Sequence, residues 1–159
     1  MVKTNNSITD KNFKKLSIQV SLNGLSFCCR DTLSGQLISF EKIDFSNFPK
    51  TFTIENSLWK SMLDFSDLTK SYDEIVVLHE NNLSTFVPKP LFDEEYKGSY
   101  LQYNTKVFET DYFAVDEMGK HEMVNVYVPY VNINNYLIDQ FGSFEYQHFS
   151  SILVSKLLD

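Results

Sequence analysis

A strand–turn–strand stretch near the amino terminus is the first place in the sequence where chemistry could occur. Residues 17–31 read SIQVSLNGLSFCCRD, and Asn23-Gly24 separates two alternating apolar segments. Asn-Gly is a strong hairpin signal, because a type I′ turn needs positive φ at both central positions. The amides of such a turn can approach a phosphate, but an anion site typically adds further glycines or a helix N-terminus. Neither is present here, so the pattern favours a plain hairpin turn.

The three histidines do not form a recognisable metal motif. His79 follows an apolar run, His121 lies in a polar turn and His148 comes late in a strand signal. No two of them have the spacing of HxxxH or HExxH, in which one helix face presents both imidazoles to a metal. Each could meet a carboxylate in the fold, but their positions favour surface or capping roles.

Acidic residues gather at two places. Residues 93–95 (DEE) could bind a hard cation, although a helix amino terminus explains them more simply through its dipole. A second group surrounds a predicted hairpin and consists of Asp111, Asp116, Glu117 and Glu122. Paired carboxylates can support acid–base chemistry. Nothing in the sequence fixes the distances between these four, so we interpret them as a solvated acidic rim.

Nucleophile and nucleotide motifs give no stronger signal. The sequence contains no GxSxG, GxxxxGK[ST] or GxGxxG motif. Cys28 and Cys29 are adjacent in a predicted strand, where they point to opposite faces and are poorly placed to bridge each other. Two cysteines without a CxxC motif fit a reducing compartment, and we predict a cytoplasmic protein.

Composition and charge limit the function classes. The chain has 159 residues, 43% hydrophobic and 15% aromatic, which suffices for one domain with a packed core. Residues 1–15 carry four lysines against Asp10 alone and are predicted to be a flexible N-terminus. The net charge is nevertheless −7, so the remainder is acidic and nucleic-acid binding is disfavoured. No apolar run approaches the ~18 residues of a membrane span, and no signal-peptide core is present.

Hydrophobic periodicity predicts a mixed α/β (α+β) fold that begins with an antiparallel meander. Residues 16–22, 25–31 and 36–43 alternate apolar and polar side chains and predict three strands joined by short turns. The period then becomes helical, and one face of the predicted helix carries Leu58, Met62, Phe65 and Leu68. Asn56 or Ser57 is the predicted N-cap of this helix.

Strands and helices alternate in the rest of the sequence. Residues 75–78 form an apolar run typical of a strand buried on both faces, and residues 83–88 predict an edge strand. A helix is predicted over 93–105, although Gly98 weakens it. The further predictions are strands at 111–118, 123–130 and 143–149, a helix at 133–141 between Asn132 and Gly142, and a last helix capped by Ser150 or Ser151.

This order of elements resembles the first half of the actin-like ATPase (ribonuclease H-like) fold, which sugar kinases, heat-shock chaperones and actin share. Residues 124–158 are similar to the segment that closes the first domain of actin-like pilus-assembly and secretion proteins. Together with residues 16–31, 86–93 and 103–118, they resemble an uncharacterised bacterial family that is assigned this fold. The resemblance implies a single half-domain over residues 16–159, followed by a second domain of related fold.

The resemblance also implies a role for the hairpin. In ATPases of this fold, the first hairpin carries an acid followed two places later by glycine; the acid orients magnesium and water, and the glycine admits the phosphate. Here no Asp or Glu occurs between Leu16 and Arg30. Ser21, Asn23 and Gly24 are the predicted cofactor-binding equivalents, in a degenerate hairpin without the carboxylate that positions the metal.

We therefore predict a non-catalytic structural or protein-interaction module with no catalytic residue, no metal and no cofactor. Its partner would be another protein, its own second domain or a second copy in a homodimer. The alternative is a nucleotide-binding protein or weak ATPase that takes ATP with magnesium and draws its acids from the second half. A third hypothesis is an enzyme that uses Asp116 and Glu117. Because fold does not fix function, the side chains of the site must separate these hypotheses.

Overall fold

Three antiparallel strands open the fold, as their alternating pattern predicts. The computed structural model describes residues 11–159. In chain order its elements are β1 Lys14–Ser21, β2 Gly24–Asp31, β3 Leu37–Asp44, α1 Ile54–Asp64, β4 Glu74–His79, β5 Ser84–Pro88, α2 Lys97–Gln102, β6 Ala114–Met118, β7 Met123–Tyr127, α3 Val131–Phe141, β8 Glu145–His148 and α4 Phe149–Leu158. The predicted flexible N-terminus falls mainly on residues 1–10, outside the described residues, and β1 begins at Lys14.

The strands form the predicted mixed sheet and, in addition, a second smaller sheet. The first sheet has the order β3-β2-β1-β4-β8. Its first three strands are antiparallel neighbours, whereas β4 runs parallel to both β1 and β8. The second sheet is antiparallel, has the order β5-β7-β6, and leaves β5 at an edge as predicted. Separating these three strands from the first sheet is the main departure from the sequence prediction.

One face of the first sheet carries the main core, and α1 and α3 cover it. Its buried members are Leu16, Ile18, Val20, Leu25, Phe27, Ile43, Leu58, Met62, Leu68, Val77, Ile133 and Leu137. Each fully buried aliphatic side chain of this size stabilises the fold by about 1.5–3 kcal/mol. The predicted helical stripe is therefore a core face, but Leu68 reaches it from a short 3₁₀ turn because α1 ends at Asp64.

The helix starts differ from the predicted ones because other side chains bind the free amides. Thr53 precedes α1, and its Oγ1 accepts the Asn56 amide at 3.2 Å, so Asn56 and Ser57 lie inside the helix. His148 precedes α4, and its Nδ1 accepts the Ser150 amide at 3.1 Å. A side chain that binds a first-turn amide typically stabilises a helix by ~1 kcal/mol.

The third helix keeps its predicted end but not its predicted cap. α3 begins at Val131, which places Asn132 within the helix. Gly142 ends the helix with φ 77°, and its amide donates to the Ile138 carbonyl at 2.8 Å. Only glycine takes up this left-handed conformation without strain, so this part of the prediction is confirmed.

The second predicted helix is shortened to six residues. A 3₁₀ turn, Glu94–Tyr96, replaces its first part, and the Asp93 carboxylate accepts the Glu95 amide at 3.0 Å. α2 then holds Gly98, where an added Cβ would lie 3.0 Å from the ring of Phe113. This glycine therefore lets an aromatic ring pack against the helix.

Gly24 is required by the close approach of two strands. It is the first residue of β2 and pairs with Asp44 at the end of β3. A Cβ at this position would lie 2.5 Å from the Ile43 carbonyl oxygen. No real Cβ contact is that short, so the glycine is explained by packing against β3 without any bound phosphate.

Substitution of Gly24 tests this explanation. We expect Gly24→Ala to lower the free energy of unfolding by about 1–3 kcal/mol, because the methyl group must displace the β3 backbone. Gly119→Ala is the control, since a Cβ there meets no atom within 4 Å. Urea unfolding of both variants measures the difference, and equal stability would contradict the packing argument.

Candidate functional site

The β1–β2 hairpin is real, but its turn is not of the predicted type. Ser21 pairs with Gly24, so the two loop residues are Leu22 and Asn23. Within residues 11–159, positive φ angles occur only at Phe13, Gly35, Glu122 and Gly142. A type I′ turn is thereby excluded, because Gly24 already belongs to β2 and both loop residues have negative φ.

The polar groups of this turn bind one another. The Asn23 amide donates to Ser21 Oγ at 3.2 Å, and Ser21 Oγ lies 3.4 Å from the Gly24 carbonyl oxygen, to which it donates. The Asn23 carbonyl accepts the Phe45 amide at 2.9 Å. The three predicted site residues are therefore brought together, but the Asn23 amide is already engaged and a phosphate would have to displace Ser21.

Leu22 stands two residues before Gly24, where the resemblance puts the acid of an ATPase. Its side chain is 54% exposed at the tip of the hairpin. A branched hydrocarbon cannot coordinate a metal or orient water, and it favours apolar contacts. The hairpin thus presents apolar surface at the position that carries the charge in ATPases.

Two open grooves adjoin this turn, and Leu22 and Ile54 line both of them. The first, which we call the aromatic groove, has a volume of ≈ 510 Å³ and runs from the turn along residues 44–57. Phe45, Phe48 and Phe52 lie along it, with ring centroids 5.9 and 6.2 Å apart in sequence order. Leu22, Pro49 and Ile54 add apolar surface to the three rings, and Lys50 is the one basic residue among the described lining. The groove therefore offers aromatic and aliphatic side chains for apolar contact.

The second groove, which we call the α3 groove, lies between the turn and the first residues of α1 and α3. Its volume is ≈ 330 Å³, and its lining includes Tyr112, Pro129, Val131 and Ile133. The charged residues that line the two grooves are Asp44, Lys50, Glu55 and Asp111. Three carboxylates against one ammonium group give a negative field, which repels a polyphosphate that arrives without cations.

Glu80 is an acid beside the hairpin that sequence reasoning missed. It follows β4, and its amide donates to the Val20 carbonyl at 2.9 Å, next to the end of β1. Its carboxylate accepts Gln19 Nε2 at 2.8 Å. The parallel pairing of β1 with β4 brings these residues together, and only the pairing could have revealed it. Among the described residues, no three His, Cys, Asp or Glu side chains are grouped to hold a metal ion.

His79 is fully buried at the carboxyl end of β4, so of the two alternatives predicted for it, a surface or a capping role, the surface role is wrong. Its Nδ1 accepts the Tyr130 amide at 3.3 Å, and its Nε2 lies 2.9 Å from Asn134 Oδ1. These partners place the proton on Nε2. Burial lowers the pKa of His79 to about 4, so the ring is neutral at pH 7 and fixes the start of α3.

Asp116 contradicts the predicted acidic rim most clearly, because it is only 7% exposed. Its Oδ1 accepts the Tyr127 hydroxyl at 3.1 Å, and its Oδ2 accepts the His148 amide at 2.8 Å and Ser151 Oγ at 2.6 Å. Burial raises the pKa of this carboxyl, whereas the three hydrogen bonds oppose the rise. The group joins β6 of the second sheet to the end of β8 and the start of α4.

Further polar side chains complete the junction between the sheets. His148 is buried, and its Nε2 lies 3.2 Å from Asn81 Oδ1, while Asn81 Nδ2 donates to the Val128 carbonyl at 2.8 Å. Asn125 donates to Ser151 Oγ at 2.8 Å. Burial lowers the pKa of His148. Every contact here holds strands and helices together. Of the surface and capping roles predicted for His148, burial excludes the first, and the bond from the Ser150 amide to its Nδ1 at the start of α4 is a capping contact.

The other predicted acids do not converge on a site. Glu117 is exposed and pairs with Lys89 at 2.8 Å, Glu122 forms a left-handed turn, and Asp111 accepts the Phe108 amide at 2.8 Å. The contacts of Asp93 and of Glu94, which pairs with Lys97 at 2.6 Å, are local. His121 Nε2 lies 3.5 Å from the Asp159 carboxylate.

None of the described helices is long and apolar enough to cross a membrane.

The buried imidazole of His79 makes stability depend on pH. Its pKa in the fold is about 4, below the ordinary value of 6.5, so its stabilising contribution is complete above pH 6.5 and is lost toward pH 4. We expect a loss of about 3 kcal/mol over this range. His79→Gln, which can keep both hydrogen bonds, should flatten this part of the profile in urea unfolding. Parallel profiles for the two proteins would contradict the assignment.

Asp116 has the opposite pH dependence. Because burial raises its pKa above the ordinary 3.8, ionisation opposes folding, and the wild type should lose stability relative to Asp116→Asn as pH rises above 3.8. Asp116→Ala leaves three donors without an acceptor and should lower the free energy of unfolding by about 3 kcal/mol or more. Thermal melting of the three proteins from pH 3.5 to 7 measures both effects. A pH-independent difference between wild type and Asp116→Asn would refute the first.

The fold is similar to two solved bacterial structures. A Bacteroides thetaiotaomicron protein described as having an actin-like ATPase fold and unknown function superposes with a TM-score of 0.80 at 18% identity, over 95% of this chain and 58% of that one. The cytoplasmic domain of EpsL, an inner membrane component of the type II secretion system of Vibrio cholerae, gives 0.53 at 13% identity, over 84% of this chain and 55% of that one.

These similarities confirm the predicted fold class. The chain spans little more than half the length of either structure, and at these identities the likeness shows the fold alone. No curated protein matches the chain significantly. The family described as "Protein of unknown function (DUF3822)" matches residues 3–159, almost the whole sequence, so the chain belongs to that family.

Proposed function

We propose that this chain is a non-catalytic structural or protein-interaction module of actin-like fold. The observation that carries the proposal is the closed turn of residues 21–24. Its Asn23 amide is bound by the Ser21 hydroxyl, and Leu22 stands where ATPases of this fold carry an acid. Both features remove the groups that would hold phosphate and position magnesium.

The surroundings of the turn support a protein ligand over a nucleotide. The aromatic groove and Leu22 offer the side-chain types that are enriched at protein interfaces. The carboxylates of the two grooves outnumber Lys50 and disfavour a triphosphate. The likeness to the cytoplasmic domain of a secretion-system component adds an example of this fold within an assembly.

The compartment and the rest of the protein belong to the same proposal. We place the protein in a bacterial cytoplasm, which suits Cys28 and Cys29 as free thiols on opposite faces of β2. Because the Bacteroides structure is considerably longer than this chain, we also propose a second domain of related fold. Such a domain would cover the two grooves, which open beside the β1–β2 turn at the carboxyl end of β1.

A specific observation favours the alternative, an ATP-binding protein. Glu80 stands beside the end of β1, within reach of a ligand that sat against the hairpin. One carboxylate can hold a hydrated magnesium ion together with substrate phosphates. In this alternative, Ser21 would turn away from the Asn23 amide and release it to the phosphate.

Thermal melting with nucleotide separates the two functions. We expect no shift of the melting temperature with millimolar Mg-ATP, since a ligand present at 100 times its dissociation constant would stabilise the protein by about 2.7 kcal/mol. Glu80→Gln and Glu145→Gln form a matched pair, because each removes one carboxylate charge and Glu145 lies at the start of β8, away from the hairpin. A shift that Glu80→Gln abolishes and Glu145→Gln retains would establish the alternative and exclude the module without nucleotide.

A further inference from the structure

On the face of the meander that points away from the main core, the β3 side chains Leu37, Phe40 and Lys42 are exposed within residues 11–159. Because side chains alternate along a strand, this outer face carries the residues between those of the core. The strand pairing arranges them in three rows: Lys15–Arg30–Leu37, Ser17–Cys28–Phe40 and Gln19–Ser26–Lys42. We call these nine residues the outer face.

A β-bulge places two large apolar side chains together on the outer face. Cys29 pairs with Ser39, but the next residue, Arg30, pairs with Leu37, so Ile38 is the extra residue. The shift brings Leu37 to the same side as Phe40, and these side chains are 63% and 60% exposed. A sheet face with exposed large apolar groups is normally buried against another layer.

The outer face is basic in an acidic protein. Lys15, Arg30 and Lys42 all lie on it, and among the residues that the structure describes only Lys15 pairs with an acid, Glu74 at 3.1 Å. Residues 11–44 carry five basic and three acidic side chains, whereas residues 45–159 carry eight basic and 17 acidic ones. A ligand for this face must therefore combine apolar groups with negative charge.

The shape of the face favours a helix. Its floor consists of the short side chains of Ser17, Ser26 and Cys28, with Phe40 and Lys42 standing along one side. The bulge at Ile38 disturbs the free edge of β3, and bulges hinder the pairing of a further strand. An α-helix that lies across the floor can meet both the apolar and the basic side chains.

We propose that the outer face binds an amphipathic helix of a partner protein, whose apolar side contacts Leu37 and Phe40 and whose acidic residues pair with Arg30 and Lys42. The proposal rests on the proposed function and specifies its partner. Arg30 donates from Nε to the Gly35 carbonyl at 3.0 Å, and its other guanidinium N–H groups make no hydrogen bond within residues 11–159. Its remaining N–H groups suit a carboxylate in a two-point contact.

Two synthetic peptide helices test the proposal with the full chain. One has leucines on one side flanked by glutamates, and the other has lysines in place of the glutamates. We expect the glutamate peptide to bind at least tenfold more tightly in fluorescence anisotropy, and the preference to weaken with salt. The double variant Arg30→Glu, Lys42→Glu should reverse the preference. Lys106→Glu, Lys156→Glu makes the same change in net charge at exposed positions outside the outer face and the two grooves, and should retain it.

Cys28 reports where the peptide binds. It is half-buried on the outer face, whereas Cys29 is 3% exposed on the core side. The glutamate peptide should slow the reaction of Cys28 with a maleimide, and Phe40→Ser should abolish this protection. Circular dichroism and melting establish that each variant is folded before it is compared.

Several outcomes would overturn the proposal. Equal binding of the two peptides, no binding at millimolar concentration, or a preference that charge reversal leaves unchanged would each do so. Protection of Cys28 by the chain itself at rising concentration would assign the face to a second copy instead of a partner helix. These failures leave the nucleotide experiment unaffected, whereas binding of Mg-ATP at Glu80 would overturn the proposed function and leave the peptide result standing.

Discussion

A buried carboxylate without a basic partner holds the two sheets together. Asp116 belongs to the second sheet, and its bonds to the His148 amide and Ser151 Oγ reach the end of the first sheet and the start of α4. Burying a charge is unfavourable, but the hydrogen bonds and the positive end of the helix offset much of that penalty. Relative movement of the sheets would remove the donors from the carboxylate, so this bond network fixes the arrangement on which the α3 groove depends.

The fold forms the two grooves beside the hairpin, and their side chains determine which ligands can bind there. Parallel strands β1, β4 and β8 end at the edge where open α/β sheets commonly bind ligands. His79 stabilises this edge through its contacts with Tyr130 and Asn134, and burial lowers its pKa so that the ring is neutral at pH 7. At the hairpin, Leu22 and a self-bonded turn occupy the positions where the resemblance puts the groups of an ATPase. In the function that we propose, an actin-like framework persists without the chemistry of a phosphate loop.

Local patterns allowed much of the fold to be predicted. Alternation along β1 to β3, the apolar run of β4 and the helical stripe of α1 each depend on the contact of one face with a core, and the sequence records that contact directly. The predicted helix starts were less accurate, because the free amides are bound by Thr53 and His148 and not by the neighbouring residues that the sequence suggested. The predicted type I′ turn was wrong because Gly24 is required by its close contact with β3 and not by the turn. That contact lies twenty residues away in sequence, at the pairing of Gly24 with Asp44.

The sequence by itself determined the order of strands and helices, the absence of an acid in the first hairpin and the low content of basic residues. Tertiary structure alone decided that Asp116 is buried, that Glu80 stands beside the hairpin, and that Lys15, Arg30 and Lys42 share one face. The physical reason is that periodicity reports which face of an element is buried. Strand pairing and a single bulge determine which distant side chains meet, and neither leaves a periodic signal.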